Sequence, residues 1–316
     1  MKRWISIAIS LLILGVIYWK IDFRGLGRIF QNCNGWWMAI SLGMVVPLTL
    51  LTAWRLQQLM PHGTRLQFGE ANRLILAASV LNMVLPSKMG DIAKAYFMKE
   101  RGHLNGSLSL SLVLFEKTCD MLSLLLWCVF GLILYPAKDS FFWIMTGAVA
   151  LGLTCGLLLV GSRRFARLCF GFAQRIAPGR LHETLEKFRA SWDIMFDYFW
   201  QETAIFYKVA ATSVFLWSLH LLQIWFFILA LRAWAPFLAN LALSPLAILA
   251  GLLPLTFAGV GTRDAALIFF YKPFFNAPVA AALGLLCTSR YLLPAIGGLP
   301  FLGQYLATVR GIRSLR

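Results

Sequence analysis

Glu116, Lys117 and Asp120 put two carboxylates and a base within about one helical turn, in a stretch that is otherwise apolar from Leu108 to Tyr135. Residues four apart share a helix face, so both carboxylates point the same way. The fifteen residues from Met121 to Tyr135 would rise ~22 Å at ~1.5 Å each, short of a ~30 Å hydrocarbon core. The trio is therefore expected at hydrocarbon depth, where each charge costs about 2.5–3.5 kcal/mol unless it is paired or hydrated. It must face a partner or a wet cavity. Arg290, between Ser289 and Tyr291 in the last apolar stretch, is the expected partner; a purely structural ion-pair network is the other reading.

Two more pairs of charges stand at breaks in the chain. One break reads Leu85-Pro86-Ser87-Lys88-Met89-Gly90-Asp91; the other runs from Leu253-Pro254 through Gly259 and Gly261 to Thr262-Arg263-Asp264. Pro stops a helix and Gly permits a tight turn, so Pro86, Gly90, Pro254, Gly259 and Gly261 are expected as structural turns. Asp91 and Asp264 then fall where a helix restarts, and free N–H groups with the positive end of the dipole favour a carboxylate there. Capping alone would explain both. Lys88 and Arg263 gain nothing from that dipole. Either each helps receive an anionic headgroup such as a phosphate, or Lys88 pairs with Asp91 and Arg263 with Asp264 locally.

Membrane helices must position these groups. Of 316 residues, 59% are apolar and 13% charged, about half the charged share of a soluble domain. The expected fold is an all-α polytopic membrane protein. About six full transmembrane helices fall near 4–20, 36–60, 106–135, 141–161, 204–231 and 277–308, with two re-entrant broken helices near 71–86 and 240–257. Residues Met1 to Lys20 resemble a signal peptide, but no small-x-small cleavage site follows and Tyr18-Trp19-Lys20 makes an interfacial anchor. They are expected as the first helix. The longest fairly polar stretch, about 161–202, is too short for a large soluble catalytic domain.

The net charge of +16 reads as topology rather than as a nucleic-acid partner. Lys2, Arg3, the bases from Arg55 to Arg101, those from Arg163 to Arg189 and the tail Arg310, Arg313 and Arg316 fall on one side, which makes both termini cytoplasmic. Arg55 is counted among these loop charges. Aligning Asp91 with Asp264 carries the helix start at 36 to 209 and that at 106 to 279. The chain is thus expected as a single integral membrane domain, 1–316. Within it, residues 1–35 form a first helix and outer loop, 36–135 one half, 141–161 a linking helix and 203–310 a second half inverted relative to the first, an arrangement common in transporters. In the basic segment 162–202, Leu181, Leu185, Phe188, Trp192, Met195 and Phe199 recur at spacings of three and four. That amphipathic helix is expected on the inner membrane surface, or as a protein-docking helix. The six cysteines and four histidines show no metal-ligand spacing, so neither a metal nor a cofactor is expected. His220 with Gln223 should bond a neighbouring helix.

Three ordered motifs resemble a known family. Asn82 to Lys94 reads N-x-x-L-P-S-K-x-G-D-x-x-K, Glu116-Lys117-x-x-Asp120 follows, and P-x-x-x-A-G-V-G-T-R-D runs from Pro254 to Asp264. This is similar to the lysylphosphatidylglycerol synthase transmembrane-domain family, the flippase-like membrane region of the multiple peptide resistance factor, which also occurs alone. The resemblance implies a bacterial or archaeal cytoplasmic-membrane protein that moves a polar-headed lipid between leaflets. It adds Asn82, Ser87 and Lys94 to the site residues above, and Thr262 of the second turn is expected among the substrate-binding residues with them. The chain departs from the pattern with Lys at 88, 94 and 117 where Arg is common, Ala258 for a usual Gly, and Asp rather than Glu at 264. Lys lacks the bidentate fork of Arg, so headgroup selectivity is expected to differ. The aminoacyl-transferase domain of longer relatives is not expected, and synthase activity is not carried over.

The expectation is therefore a non-enzymatic lipid translocase. Its substrate would be a phospholipid, aminoacyl-lipid or polyprenyl-phosphate lipid, received by Lys88, Arg263 and Arg290. GxxxxGK[ST] occurs nowhere in the sequence, so transport would be passive or ion-coupled. Expected partners are an anionic-headgroup lipid and the bilayer, with a lipid-biosynthetic enzyme or a second copy left open. Two alternatives stand. One is an intramembrane glycosyl- or phospho-transferase using Asp22 or Asp91 on a polyprenyl carrier. The other is an accessory subunit of a lipid-modifying enzyme.

Overall fold

A computed structural model describes residues 23–61, 66–84, 90–102, 104–135, 138, 140–179, 182–252 and 261–313. The expected helix at 4–20 and the expected site residues Pro86, Ser87, Lys88, Pro254 and Gly259 lie outside them. The described chain is all-α and multi-pass, with helices α1 (Phe23–Gln31), α2 (Gly35–Gly43), α3 (Val45–Leu59), α4 (Phe68–Val84), α5 (Gly90–Gly102), α6 (Gly106–Leu134) and α7 (Ser140–Gly161). There follow α8 (Arg163–Ile176), α9 (His182–Gln201), α10 (Thr203–Ala230), α11 (Phe237–Gly251), α12 (Thr262–Tyr271) and α13 (Ala277–Arg313).

Among the described residues, five stretches are long and apolar enough to cross a membrane: Gly35–Leu59, Gly106–Leu134, Phe142–Gly161, Thr203–Ala230 and Ala277–Gly303. Local signals set their starts. Asn34 accepts from the Trp36 and Trp37 amides and Asn105 from the Ser107 amide, satisfying donors that a helix N-terminus leaves free. Two interrupted pairs of helices, α4 with α5 and α11 with α12, flank the breaks. At the first, Gly90 is packed so closely that an added Cβ would lie 2.5 Å from the Ala78 carbonyl and 2.6 Å from the Asn82 amide. At the second, Gly261 has φ 103°, a conformation open to glycine and costly for other residues. The Asp264 carboxylate accepts from the Gly261 amide at 3.1 Å.

Two apolar cores flank a polar layer. One gathers Leu56, Leu74, Phe97, Leu112, Phe115 and Phe199; the other gathers Leu124, Cys128, Leu221, Phe227, Leu267 and Leu283. Helix α6 runs through both, from Cys119 in the first to Leu124 in the second. Its carboxylates Glu116 and Asp120 therefore lie where one core gives way to the other.

Residues 162–202 fold differently from the single surface helix expected. Trp192, Met195 and Phe199 of α9 are buried. Phe199 stacks on Phe115 of α6 with centroids 3.6 Å apart, and the Trp192 indole donates to the Leu159 carbonyl. The apolar face that periodicity reveals is covered by the protein itself. The uncovered stripe belongs to α8, where Leu168, Phe172 and Ile176 are 71%, 67% and 68% exposed at spacings of four. Arg163 and Arg167 tie α8 to Asp197 and Asp193 of α9.

Candidate functional site

The α6 carboxylates are held chiefly by a residue that sequence reasoning assigned to a loop. Arg55, near the end of α3, is only 3% exposed. Its Nη2 donates to Glu116 Oε1 at 2.7 Å, its Nη1 to Asp120 Oδ1 at 2.5 Å and to Ser213 Oγ of α10 at 2.8 Å. One guanidinium thus joins three helices, using the planar fork that suits it to two carboxylates at once. Lys94 of α5 forms an ion pair with the other oxygen of Glu116, and both residues are 1% exposed. Removing one partner of such a buried pair costs about 3–5 kcal/mol, because a charge is left uncompensated.

A second, looser set adjoins it. Lys117 is half-exposed and reaches Asp91 at 3.0 Å and Asp120 at 3.9 Å. Asn82 Nδ2 donates to Asp91 Oδ1 at 3.4 Å. Asp91 lies in the first turn of α5, directly after Gly90, so the close approach of Gly90 to α4 sets the carboxylate beside Asn82.

These groups border a cavity of about 240 Å³ between α3, α4, α5, α6, α10 and α13. Leu48, Ile75, Leu216, Trp217 and Pro294 supply apolar wall; Asn82, Gln223 and Arg290 add polar groups. Arg290 is 6% exposed. Its Nη2 donates to the Tyr291 hydroxyl at 3.2 Å, whereas its Nε and Nη1 are buried with no hydrogen-bond partner among the described residues. It lines the cavity without bridging to the α6 carboxylates. Arg55 holds the place expected for it.

The second break forms a separate cluster. Arg263 donates from Nε and Nη2 to Asp264 Oδ1, at 3.0 and 2.7 Å, and from Nη2 to the Gly284 carbonyl and Thr288 Oγ1, at 2.9 and 2.8 Å. Arg263 and Asp264 are both buried. Thr262, Arg263 and Asp264 do not line the cavity. Helix geometry explains the separation. Gly284 and Thr288 share one face of α13, while Arg290, two residues on, is turned by ~200°. The structure therefore joins Asn82, Asp91, Lys94, Glu116, Lys117, Asp120 and Arg290 around one space, with Gly90 shaping it, and leaves the Gly261 turn with the other cluster.

Sequence reasoning missed Arg55 and Ser213. The usable signal for Arg55 was its depth. It precedes the helix end at Leu59 by about a turn and is flanked by Trp54 and Leu56, so the hydrocarbon-depth argument applied to Glu116 holds for it too. Ser213 carried none, since serine is common where helices cross in membranes.

Among the described residues, no group of three or more His, Cys, Asp or Glu side chains could hold a metal ion. No curated protein matches the chain. The family model described as the lysylphosphatidylglycerol synthase TM region matches residues 3–298, and the chain belongs to that family.

Proposed function

We infer that the protein is a translocase for a lipid with a phosphate-bearing headgroup, working without ATP, in the cytoplasmic membrane with both termini inside. The observation that carries this reading is a charged cavity walled by helices from both expected halves of the chain. A headgroup can enter such a space while its tails remain in lipid. Family membership supports a role in membrane-lipid chemistry, and the two interrupted pairs α4–α5 and α11–α12 fit an inverted repeat whose exchange of conformations alternates access. Apolar groups face outward from cavity-lining helices on both sides: Val46 and Leu50 on α3, Leu292 and Ile296 on α13.

The test is reconstitution into liposomes carrying a trace of fluorescent phosphatidylglycerol, with a membrane-impermeant reductant added outside. A proteoliposome should lose fluorescence well beyond its outer-leaflet half, on a timescale that empty vesicles do not match. Equal loss in protein-containing and empty vesicles, with and without proton or sodium gradients, would refute the reading.

A further inference from the structure

Arg290 is the one cavity-lining base whose charge no described carboxylate answers. Among the described residues, the cavity wall carries four bases, Arg55, Lys94, Lys117 and Arg290, and three carboxylates, Asp91, Glu116 and Asp120. The first three bases and the three carboxylates are bound to one another: Arg55 to Glu116 and Asp120, Lys94 to Glu116, Lys117 to Asp91 and Asp120. Arg290 has the Tyr291 hydroxyl on Nη2 and the Tyr291 ring beside its Cζ at 5.1 Å, and among the described residues its buried Nε and Nη1 have no acceptor.

A buried guanidinium with two of its three nitrogens unanswered is an unstable arrangement, since a charged donor left unsatisfied costs more than the ~1–3 kcal/mol of a neutral one. An anion entering the cavity would relieve it. We propose that Arg290 is the anion seat of the translocation cavity and that its occupant is the phosphodiester of a membrane phospholipid whose headgroup has a net charge of −1. This rests on the translocase reading and specifies its substrate.

Three features define the occupant. The one uncompensated positive charge among the described lining residues calls for a headgroup of net charge −1, as on phosphatidylglycerol; in phosphatidylcholine the choline cation already answers the phosphodiester. The planar guanidinium fork can donate to two phosphate oxygens at once, a match that Lys does not offer. The volume of about 240 Å³ lies just under the ~300 Å³ lower end of small-molecule sites, a size suited to a phosphate and a small alcohol rather than to a whole lipid. The position of Arg290 favours a lipid over a free phosphate. Its neighbour Tyr291, also lining the cavity, is 38% exposed, and Leu292, Ile296 and Leu299 beyond it turn apolar surface outward. A headgroup on Arg290 would thus have an apolar surface along which its tails could lie.

The experiment is native mass spectrometry of the detergent-purified chain, titrated with phosphatidylglycerol, phosphatidylcholine or inorganic phosphate, for wild type, Arg290→Gln and Arg290→Lys. Wild type should prefer phosphatidylglycerol over phosphatidylcholine and show no Arg290-dependent binding of inorganic phosphate. R290Q should lose about tenfold or more of that preference, as expected for losing a charge-assisted contact, and R290K should keep part of it. Thermal melting verifies that each variant is folded; if R290Q does not fold, the partial loss expected of R290K carries the test.

An unchanged preference in the folded variants overturns the proposal. So does Arg290-dependent binding of inorganic phosphate without lipid preference, which would make the seat one for a soluble anion. Transport failure with Arg290-dependent lipid binding would remove the translocase reading and leave the anion seat. Transport by wild type with an Arg290-independent preference would do the reverse.

Discussion

The two breaks in the chain place an aspartate at a restarting helix and end in opposite arrangements. At the second, Asp264 turns back on its neighbour Arg263, and α13 completes the arginine's bonding through Gly284 and Thr288. At the first, Asp91 reaches across to Lys117 on α6 and Asn82 on α4, and the charges remain at the edge of a cavity. The difference lies in what the adjoining helix offers. Against α13, Arg263 finds a carbonyl and a hydroxyl. Against α6, Asp91 finds further charges whose own partners lie on α3 and α5. One motif makes a closed clamp and the other an open network.

Substitutions can break or sharpen this contrast. The largest effect is expected for Arg55→Leu, which leaves Glu116 with Lys94 alone and Asp120 with only Lys117. It should cost about 3–5 kcal/mol, lowering Tm in detergent sharply and ending translocation. Asp264→Asn should cost somewhat less, about 3 kcal/mol, because Gly284 and Thr288 still accept from Arg263. Phosphatidylglycerol binding per folded molecule should stay unchanged. If binding falls with stability, the two clusters are not separate. The smallest stability effect is expected for Lys117→Gln, within about 1 kcal/mol for a half-exposed pair. There the readout is the rate of lipid exchange, and an unaltered rate would remove Lys117 and Asp91 from the path.

Much of the architecture is legible in hydropathy. The stretches expected near 36–60, 106–135, 141–161, 204–231 and 277–308 are helices within a few residues, because a long apolar run between polar clusters has few other ways to satisfy its backbone. The cost of charge at depth likewise singles out Glu116 and Asp120 without a structure. It does not choose their partner. Arg290 has the right charge and stands in an apolar stretch, yet Arg55 takes the place, because pairing depends on which side chain reaches the α6 carboxylates in three dimensions. The apolar face of α9 shows the same limit. Periodicity reveals Trp192, Met195 and Phe199 as one stripe but carries no information on what covers it, which here is α6 and the end of α7 rather than lipid.

Gly90 gives the molecule a weak point that a survey of ionisable residues would pass over. It has no functional group, yet a single methyl there would push α5 away from α4 and carry Asp91 with it. The loss would look like damaged electrostatics although every acid and base remained in the sequence. Glycine-to-alanine scanning is thus as direct a probe of this machinery as altering the acids themselves.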